Sequence, residues 1–338
     1  MLLIMGVDAL VYSLYPIYSD NEIYRLVKEQ MGHAQWAGLH LYDCIFPLFV
    51  YISGMSMCFS QLRKMNSETC RVLMQLWLRA AILVILGFFI NGPLTWDLSS
   101  MRFASVLGLI GISGAVAGTF AWLSGCRIVP NLVLSAVILC TVALCQEFGG
   151  DYTPTGCVNA RIDTLLCPGV LHNGSYDPEG PLCIVSAVAL CLIGYTTGLV
   201  FLNIPSHFKR IVIVLLSGAL LLTAGCFLPC IKGIWTPGFV LSCAGIGAIL
   251  VAVLHLLIDV AGLHKISLPF RVIGMNALAI YMLTHIINFQ GISARLLWGT
   301  MSLMLPLAWV HVVNAVTALL LAWCFCYFLY SKRVFIKL

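Results

Sequence analysis

Asp8, His33 and Asp43 are side chains that could perform proton transfer, and all three lie near the start of the sequence. Imidazole takes up and returns a proton near neutral pH, and a neighbouring carboxylate fixes its tautomer. Imidazole can also act as a nucleophile and form an acyl-imidazole. Because Asp8 and Asp43 interrupt apolar segments, where ionisable groups are unfavourable, each is a functional candidate. A contact between helices is the alternative explanation for either residue taken singly.

The elements that must position these residues are membrane-spanning helices. The 338-residue chain is 61% hydrophobic and 9% charged, whereas a soluble domain is about 45–50% apolar and about 25% charged. Its apolar stretches reach about twenty residues, the length that crosses a hydrocarbon core about 30 Å thick. Because backbone groups in lipid must pair within their own segment, these stretches are predicted to be helices. We predict an all-α integral membrane protein, a bundle of about ten transmembrane helices near residues 2–15, 41–59, 72–90, 103–123, 132–145, 182–202, 211–228, 239–260, 272–287 and 305–330.

Basic residues in the loops predict the orientation of the chain. One alternate set of loops holds most of the Lys and Arg residues, among them Arg63 and Arg210, and such loops stay in the cytoplasm. Both termini are therefore predicted to be cytoplasmic, with loops 16–40 and 148–181 facing outward. We expect a multi-pass protein of the cell (inner) membrane, with residues 1–338 forming a single domain. The first span has no basic lead, so we expect either a true N-terminus upstream or a mis-assigned start.

Cysteine is abundant, but its spacing does not indicate a metal site. The sequence has no CxxC pair and no Cys/His cluster with zinc spacing. Most of the 15 cysteines lie inside apolar spans, where they act as small hydrophobic residues. Cys157 and Cys167 share an outward loop and could pair in an oxidising compartment. The net charge of +5 is modest and gives no indication of a nucleic-acid partner.

Residues 32–54, GHAQWAGLHLYDCIFPLFVYISG, resemble the signature of the heparan-α-glucosaminide N-acetyltransferase family and its bacterial relatives. The signature residues that stand in place are His33, Trp36, Gly38, Leu39, Asp43, Phe46, Pro47, Phe49 and Gly54. No simple membrane-helix pattern requires His, Trp, Asp and Pro at these offsets. Further segments agree in order along most of the chain, namely 91–97, 159–180, 232–236, Asp259 and 274–281.

The resemblance implies a transmembrane acetyltransferase, which takes acetyl from cytoplasmic acetyl-CoA and transfers it to the amine of a terminal glucosamine on the far side. His33 falls on the family's catalytic histidine, which is either acetylated in turn or acts as a base in direct transfer. The family's Asn or Asp of the first helix falls on Asp8, and its Asp after the histidine falls on Asp43. His285 lies one residue from a histidine of the lysosomal enzyme. A homodimer is expected by analogy with the family.

Two departures from the family pattern bear on activity. The opening D-x-x-R-G motif is absent. The element R-x-x-G-V-L-Q-R before the fourth span is replaced by Arg102-Phe-Ala-Ser-Val-Leu-Gly108-Leu109, so that the Gln-Arg pair is missing. If that arginine helps to hold the cofactor or the substrate, activity in this chain is expected to be altered or lost.

Amide formation from a thioester also needs a donor for the tetrahedral oxyanion. Asn276, an uncharged amide in an apolar helix, is the predicted donor, with an interhelical hydrogen bond as the alternative. The phosphates of coenzyme A require Arg or Lys at their entrance. Arg79 is the best-placed candidate, with Arg71 and Arg271 behind it, although ordinary positive-inside anchoring is the alternative for those two.

The outward side supplies candidates for binding a hydroxylated, cationic sugar. They are Trp36, Asp177, Glu179, Lys232, Trp235 and His285. The run Tyr-Asp-Pro-Glu-Gly at 176–180 is also a good turn sequence. Shaping the loop is therefore the alternative role for its two acids.

Three other functions stay open. A transporter also places charges within helices, but it more often shows two halves with matching interrupted helices, and no such repeat is visible. An O-acetyltransferase of an envelope polysaccharide would use the same cofactor with a hydroxyl acceptor. A relative that binds sugar without catalysing transfer is compatible with the missing Gln-Arg pair.

Overall fold

The computed structural model describes residues 1–91 and 100–336, and every regular element within them is a helix. In chain order the helices are α1 (Leu3–Leu14), α2 (Glu22–Gln30), α3 (Leu41–Leu62), α4 (Thr69–Ile90), α5 (Val106–Leu123), α6 (Ile128–Gly149), α7 (Val158–Leu166), α8 (Pro181–Asn203), α9 (His207–Cys226), α10 (Pro237–Val260), α11 (Leu268–Met275), α12 (Ala277–Ile286), α13 (Phe289–Met304) and α14 (Leu307–Ser331). The predicted all-α class is confirmed.

Eight of the helices in the described part of the chain are long and apolar enough to cross a membrane. A ninth span is formed if α12 and α13, which meet at an angle of 62°, are taken together, and α1 is a shorter apolar helix. This agrees with a multi-pass membrane protein of about ten spans. The cytoplasmic location of both termini stays a prediction.

The chain divides into two compact units, each built from segments that are distant in sequence. Unit 1 comprises Met1–Ala34, His40–Ile45 and Gly262–Leu338, and unit 2 comprises Gln35–Leu39 and Phe46–Ala261. The single domain expected over the whole chain stays a prediction.

In unit 2, α8 is the most deeply buried helix, and α3 packs against it backbone to backbone. A Cβ on Gly54 of α3 would meet the carbonyl oxygen of Cys191, and a Cβ on Gly194 of α8 would meet that of Tyr51. Small residues permit such close approach between membrane helices. The Tyr51 hydroxyl also lies 2.6 Å from Thr197 Oγ1, which adds a buried polar contact between the same two helices.

In unit 1, α1, α11, α12 and α14 share an apolar core. Its buried members are Met5, Val272, Ile273, Ile280, Ala322 and Cys326. α1 is kinked at Gly6, where φ is +127°, a conformation that glycine adopts without steric cost. This core holds in place the helix that carries Asp8.

The prediction of one helix over 272–287 is wrong. α11 ends at Met275, Asn276 has φ −124° and ψ 35°, and α12 begins at Ala277. The Asn276 side chain stabilises this break, because its Nδ2 donates to Val334 O at 3.1 Å and its Oδ1 accepts from Ile336 N at 3.1 Å. A side-chain amide that hydrogen-bonds a second backbone segment competes with continuation of the helix. Hydropathy alone does not report such contacts, and the break is therefore not predicted from the apolar pattern.

α13, like α2 and α7, lies outside the spans that the apolar pattern predicts. Gln290, Ser293 and Arg295 interrupt its hydrophobic residues. Its start is nevertheless marked by Asn288, whose side chain accepts a hydrogen bond from Gly291 N at 2.8 Å, as at many helix N-termini. The cap is therefore a local signal for this helix that hydropathy misses.

Candidate active site

His33 and Asp43 form a close pair in unit 1. His33 lies between α2 and α3, and Asp43 lies in the first turn of α3; His33 Nδ1 is 2.7 Å from Asp43 Oδ1. Because a carboxylate only accepts hydrogen bonds, Nδ1 carries the proton of this bond. The imidazole side chain is 56% exposed and the carboxylate is 1% exposed. A substrate can therefore reach the imidazole, whose orientation is set by a buried anion.

Asp43 also organises the segment that carries His33. Its Oδ2 accepts from Ala34 N and from His40 N, both at 3.1 Å. The His40 contact is part of a capping box at the start of α3, in which the side chain at the third helical position accepts from the backbone N–H of the N-cap residue. His40 Nδ1 in turn lies 3.1 Å from Gly32 O. One carboxylate thus holds the His33 ring and both ends of the connecting loop.

Tyr42 links Asp8 to this pair. Its hydroxyl donates to Asp8 Oδ2 at 3.2 Å. Its ring packs edge-on against the His33 imidazole, with the ring centroids 4.9 Å apart. The predicted grouping of His33, Asp43 and Asp8 is therefore present, but Asp8 joins it through a tyrosine that the sequence argument did not select. The feature of the sequence that could have identified Tyr42 is its position directly before Asp43.

Three other predicted residues of unit 1 have structural partners. Both polar atoms of the Asn276 amide bond the segment 334–336, which favours the structural alternative over an oxyanion donor. His285 Nδ1 lies 2.8 Å from Tyr281 O, one turn earlier on the same helix. Arg271 donates from Nη2 to the Tyr330 hydroxyl at 3.1 Å.

A buried acid cluster in unit 2 surrounds Arg102. Its guanidinium donates from Nε to Asp177 Oδ2 at 2.8 Å and from Nη2 to Asp177 Oδ1 at 2.7 Å. Nη2 also pairs with Glu179 Oε2. Asp163 Oδ2 accepts from Asp177 N at 2.9 Å. Asp177 and Glu179 are buried and paired with Arg102, which favours the alternative role of shaping the loop, and their role in sugar binding stays a prediction.

The pKa values of the three acids in this cluster are not all shifted in the same direction. Burial, together with the charge of Asp177, raises the pKa of Glu179 to about 8. Burial also raises the pKa of Asp163, to about 6. Burial acts in the same direction on Asp177, but the hydrogen bonds from Arg102 outweigh it and lower its pKa to about 2. One guanidinium therefore keeps one acid ionised, while a neighbour retains its proton.

The position of the missing Gln-Arg pair is part of the helix packing. Gly108 N donates to Ser105 Oγ at 3.0 Å, and Ser105 thereby caps α5. Leu109 is buried. Arg102 stands where the family element begins and donates to both carboxylate oxygens of Asp177.

Trp36 and Trp235 lie in different surroundings within unit 2. Trp36 is half-buried, donates from Nε1 to Tyr152 O at 2.7 Å and packs edge-on against Tyr176. Trp235 is fully buried between Phe46 and Phe239. Trp235 is thus a core residue rather than a surface for sugar.

Lys232 and the segment around Trp36 lie on connected loops of unit 2. Lys232 is half-buried and begins the short helical turn Lys232–Ile234. Just before it, Cys230 O accepts from Gly38 N at 2.8 Å. Trp36 and Lys232 are therefore the two predicted sugar-binding residues of this unit that are not fully buried.

α4 carries a polar stripe of three exposed residues. Arg71, Gln75 and Arg79 follow at intervals of four and lie on one side of the helix. Gln75 Oε1 accepts from Lys64 Nζ at 2.6 Å. The predicted cofactor residues Arg71 and Arg79 thus share a helix face, whereas Arg271 belongs to the other unit.

A second His–Asp pair lies in unit 2. His255 Nδ1 is 2.6 Å from Asp259 Oδ2, and His255 Nε2 is 3.1 Å from His207 Nδ1. His255 is buried, with Phe201 packed edge-on against its ring. The four-residue spacing places Asp259 one helical turn from His255, so this pair is local to its helix.

The arrangement of His, Cys, Asp and Glu side chains bears on metal and disulfide chemistry. Residues 1–91 and 100–336 hold no group of three or more His, Cys, Asp or Glu side chains that could bind a metal ion. Cys157 and Cys167 are free thiols, so the predicted disulfide is not formed. Of the matched segment 91–97, residues 92–97 lie outside the described part of the chain.

Comparisons with known proteins agree with the signature around His33. No protein-family model matches the chain. Human heparan-alpha-glucosaminide N-acetyltransferase is 25% identical over 319 residues, which cover 74% of this chain and 48% of the human protein. The mouse protein of the same name is 23% identical over 384 residues, covering 90% of this chain and 56% of the mouse protein.

The chain thus spans about half the length of the curated relatives it matches. The similarity nevertheless extends over most of this chain, as the order of the matched segments predicted. Together with the membrane-helix fold, it confirms that the chain is a distant relative of the heparan-α-glucosaminide N-acetyltransferases.

Proposed function

We propose that this chain is a transmembrane N-acetyltransferase. It transfers acetyl from cytoplasmic acetyl-CoA to the amine of glucosamine, or of a glucosamine-ended oligosaccharide, on the extracytoplasmic side. The observation that carries the proposal is the exposed His33 imidazole held by the buried Asp43 carboxylate at 2.7 Å. The two relatives, both heparan-alpha-glucosaminide N-acetyltransferases, supply the reaction class.

The geometry fits either order of events. In direct transfer, His33 Nε2 removes a proton from the amine while the amine nitrogen attacks the thioester carbonyl. The C–N bond forms, the C–S bond breaks, and the thiolate takes up a proton as it leaves. In the two-step route, Nε2 attacks the thioester carbonyl first, the C–S bond breaks, and the thiolate leaves and takes up a proton, so that the ring carries the acetyl group as an acyl-imidazole. The amine then attacks this acetyl group, the bond from carbon to Nε2 breaks, and Nε2 takes up the proton that the amine loses. In both, the Asp43 carboxylate stabilises the positive charge that develops on the ring.

The polar stripe of α4 supports an anionic cofactor. An ionisable side chain within a span faces a protein interior or a water-filled cavity rather than lipid. Arg79 lies near the middle of α4, and Arg71 lies near the end that is predicted to be cytoplasmic. We therefore assign Arg79 and Arg71 to the phosphates of coenzyme A, because guanidinium groups bind phosphate with two parallel hydrogen bonds.

The decisive experiment is acetyl transfer by purified protein in lipid nanodiscs. Labelled acetyl-CoA and glucosamine are supplied to the wild type, to His33→Ala and to His311→Ala, which removes another exposed histidine of the same unit. We expect N-acetylglucosamine from the wild type and from His311→Ala, and a loss of about 100-fold or more in His33→Ala. Unchanged transfer by His33→Ala would contradict the proposal.

The same assay separates the other functions. Label on the wild-type protein before sugar is added indicates the acyl-imidazole route. Transfer to a sugar whose amine is already blocked indicates an O-acetyltransferase. Absence of transfer, combined with sugar uptake into proteoliposomes, indicates a transporter, and sugar binding without either indicates a non-catalytic relative.

The role of Arg79 has its own test. Arg79→Gln is expected to raise the KM for acetyl-CoA while leaving the KM for glucosamine unchanged. Lys209→Gln, an exposed basic residue at the start of α9, is the matched control and is expected to change neither constant. An equal rise in both KM values for Arg79→Gln would indicate a structural effect.

A further inference from the structure

α2 has an apolar face and a charged face, and the apolar face is exposed. Ile23, Leu26 and Val27 follow the spacing of one helix face, and Ile23 and Leu26 are 73% and 60% exposed. The opposite face carries charged residues, among them Arg25 and Glu29. A helix divided in this way is typical of segments that lie in the plane of a membrane interface.

Two contacts place α2 beside the end of α1. The Tyr24 hydroxyl donates to Val11 O at 2.8 Å, and Val11 lies one turn before Leu14, the last residue of α1. Lys28 Nζ lies 3.3 Å from the centroid of the Tyr15 ring, a cation–π contact. α1 is a short apolar helix, and we infer that its end lies near the level where hydrocarbon gives way to lipid headgroups. α2 lies at that level.

Tyrosines concentrate at the same level. Tyr12, Tyr15, Tyr18 and Tyr24 belong to the end of α1, the connecting turn and α2, and the rings of Tyr18 and Tyr24 are 5.5 Å apart. Tyrosine is enriched at membrane–water interfaces because its ring is apolar and its hydroxyl is polar. This belt therefore indicates lipid, rather than water or another protein, as the neighbour of α2.

We propose that α2 lies in the headgroup region of one leaflet, with Ile23, Leu26 and Val27 inserted among the lipid chains. Lipid is the single occupant of this apolar face. α2 ends at Gln30, just before His33, so the imidazole is held at headgroup level. The acceptor amine then meets His33 at the membrane surface, a consequence that rests on the proposed function, whereas the lipid contact does not.

Photo-crosslinking of the full chain in nanodiscs tests the lipid contact directly. The photoreactive residue p-benzoylphenylalanine replaces Leu26 in one variant and Glu29, on the charged face, in the matched control. The nanodiscs contain phosphatidylcholine and phosphatidylglycerol, and adducts are identified by mass spectrometry. We expect lipid adducts at position 26 and none above background at position 29.

Each other outcome overturns the proposal. An adduct of position 26 with the same chain would show that another segment covers α2, and an adduct with a second copy would show a dimer contact. Absence of lipid adducts at position 26 would show that the apolar face contacts water, and equal lipid labelling at both positions would show that this face has no preference for lipid. These results do not depend on acetyl transfer, so a failure of the enzymatic proposal would leave them unchanged.

A second measurement needs no substitution. Hydrogen–deuterium exchange of residues 22–30 in the wild-type protein is compared in nanodiscs and in a lipid-free amphipathic polymer. We expect slower exchange in nanodiscs for this segment, with no change in the buried helix α8. Equal exchange of α2 in the two environments would contradict lipid insertion.

Discussion

Two His–Asp pairs in this protein have nearly the same hydrogen bond and opposite burial. His33 Nδ1 lies 2.7 Å from Asp43 Oδ1, and His255 Nδ1 lies 2.6 Å from Asp259 Oδ2. In the first pair the imidazole is 56% exposed and the carboxylate 1%, whereas in the second the values are 6% and 53%. The residue types and the distance are therefore equal, and only the surroundings differ.

The difference in burial decides which side chain of each pair can contact a substrate. The buried Asp43 carboxylate lies in a low dielectric, where its hydrogen bond to the imidazole is strengthened. The His33 ring itself is exposed. In the second pair the imidazole is enclosed by Phe201 and His207, and the carboxylate is exposed to the medium. We expect the first pair to support catalysis and the second to support packing.

The largest expected effect compares the two imidazoles. His33→Gln is expected to lower kcat/KM for acetyl transfer about 100-fold or more, because the ring takes up the reacting proton. His255→Gln, which keeps a polar side chain of similar length, is expected to change the rate little. Steady-state kinetics of both variants measure this difference. Equal losses of kcat/KM would show that the two His–Asp pairs do not differ in their role in catalysis.

The next effect compares the two carboxylates. Asp43→Asn is expected to lower the rate about tenfold or more, but less than His33→Gln, because Asp43 acts through the ring. It should also lower the free energy of unfolding by about 1–3 kcal/mol, since an amide cannot accept all the hydrogen bonds of a buried carboxylate.

Asp259→Asn is the control for that comparison, and we expect neither change in it. Rate and thermal unfolding are measured on the same preparations. A loss of stability in Asp43→Asn without a loss of rate would reduce Asp43 to a helix cap.

A smaller effect concerns the tyrosine that extends the first pair. Tyr42→Phe keeps the ring against His33 but removes the hydrogen bond to Asp8. We expect a loss of about fivefold or less in rate, the equivalent of one hydrogen bond. A loss as large as that of His33→Gln would show that Tyr42 and Asp8 take part in proton transfer.

The smallest expected effect concerns Glu179, whose partner is the Arg102 guanidinium rather than an imidazole. The pKa of Glu179 is raised from 4.5 to about 8 in the folded protein, so the folded state binds more protons than the unfolded state between these values. Stability therefore falls as pH rises from about 5 to about 8. Glu179→Gln removes this titration and should flatten the pH dependence of the Tm by a few degrees.

Glu68→Gln, at an exposed position before α4, is the control for the pH experiment and should follow the wild type. Differential scanning fluorimetry between pH 5 and pH 9 supplies the measurement. A Tm that rises with pH across this range in the wild type would contradict the assignment of the retained proton to Glu179.

Much of the first pair could be predicted from sequence, because His33 and Asp43 stand at fixed offsets in one short segment. The acid cluster around Arg102 could not be predicted from sequence, because Arg102 and Asp177 are 75 positions apart and each is an ordinary residue type in a loop. The burial of Asp177 and Trp235, for which a sugar-binding role was predicted, was not foreseen for the same reason. Their burial depends on chain segments that a local pattern does not report.

By itself, the sequence determined the all-helical membrane class, the residue types of the His33 site and the distant relationship to the acetyltransferases. Length and hydropathy of each span are local properties, and so is a signature of closely spaced residues. Only the tertiary structure decided that Tyr42 joins Asp8 to His33, that Asn276 breaks a predicted span, and which carboxylates are buried. Pairing and burial are set by segments that meet only when the chain folds, and they separate a reactive His–Asp pair from a structural one.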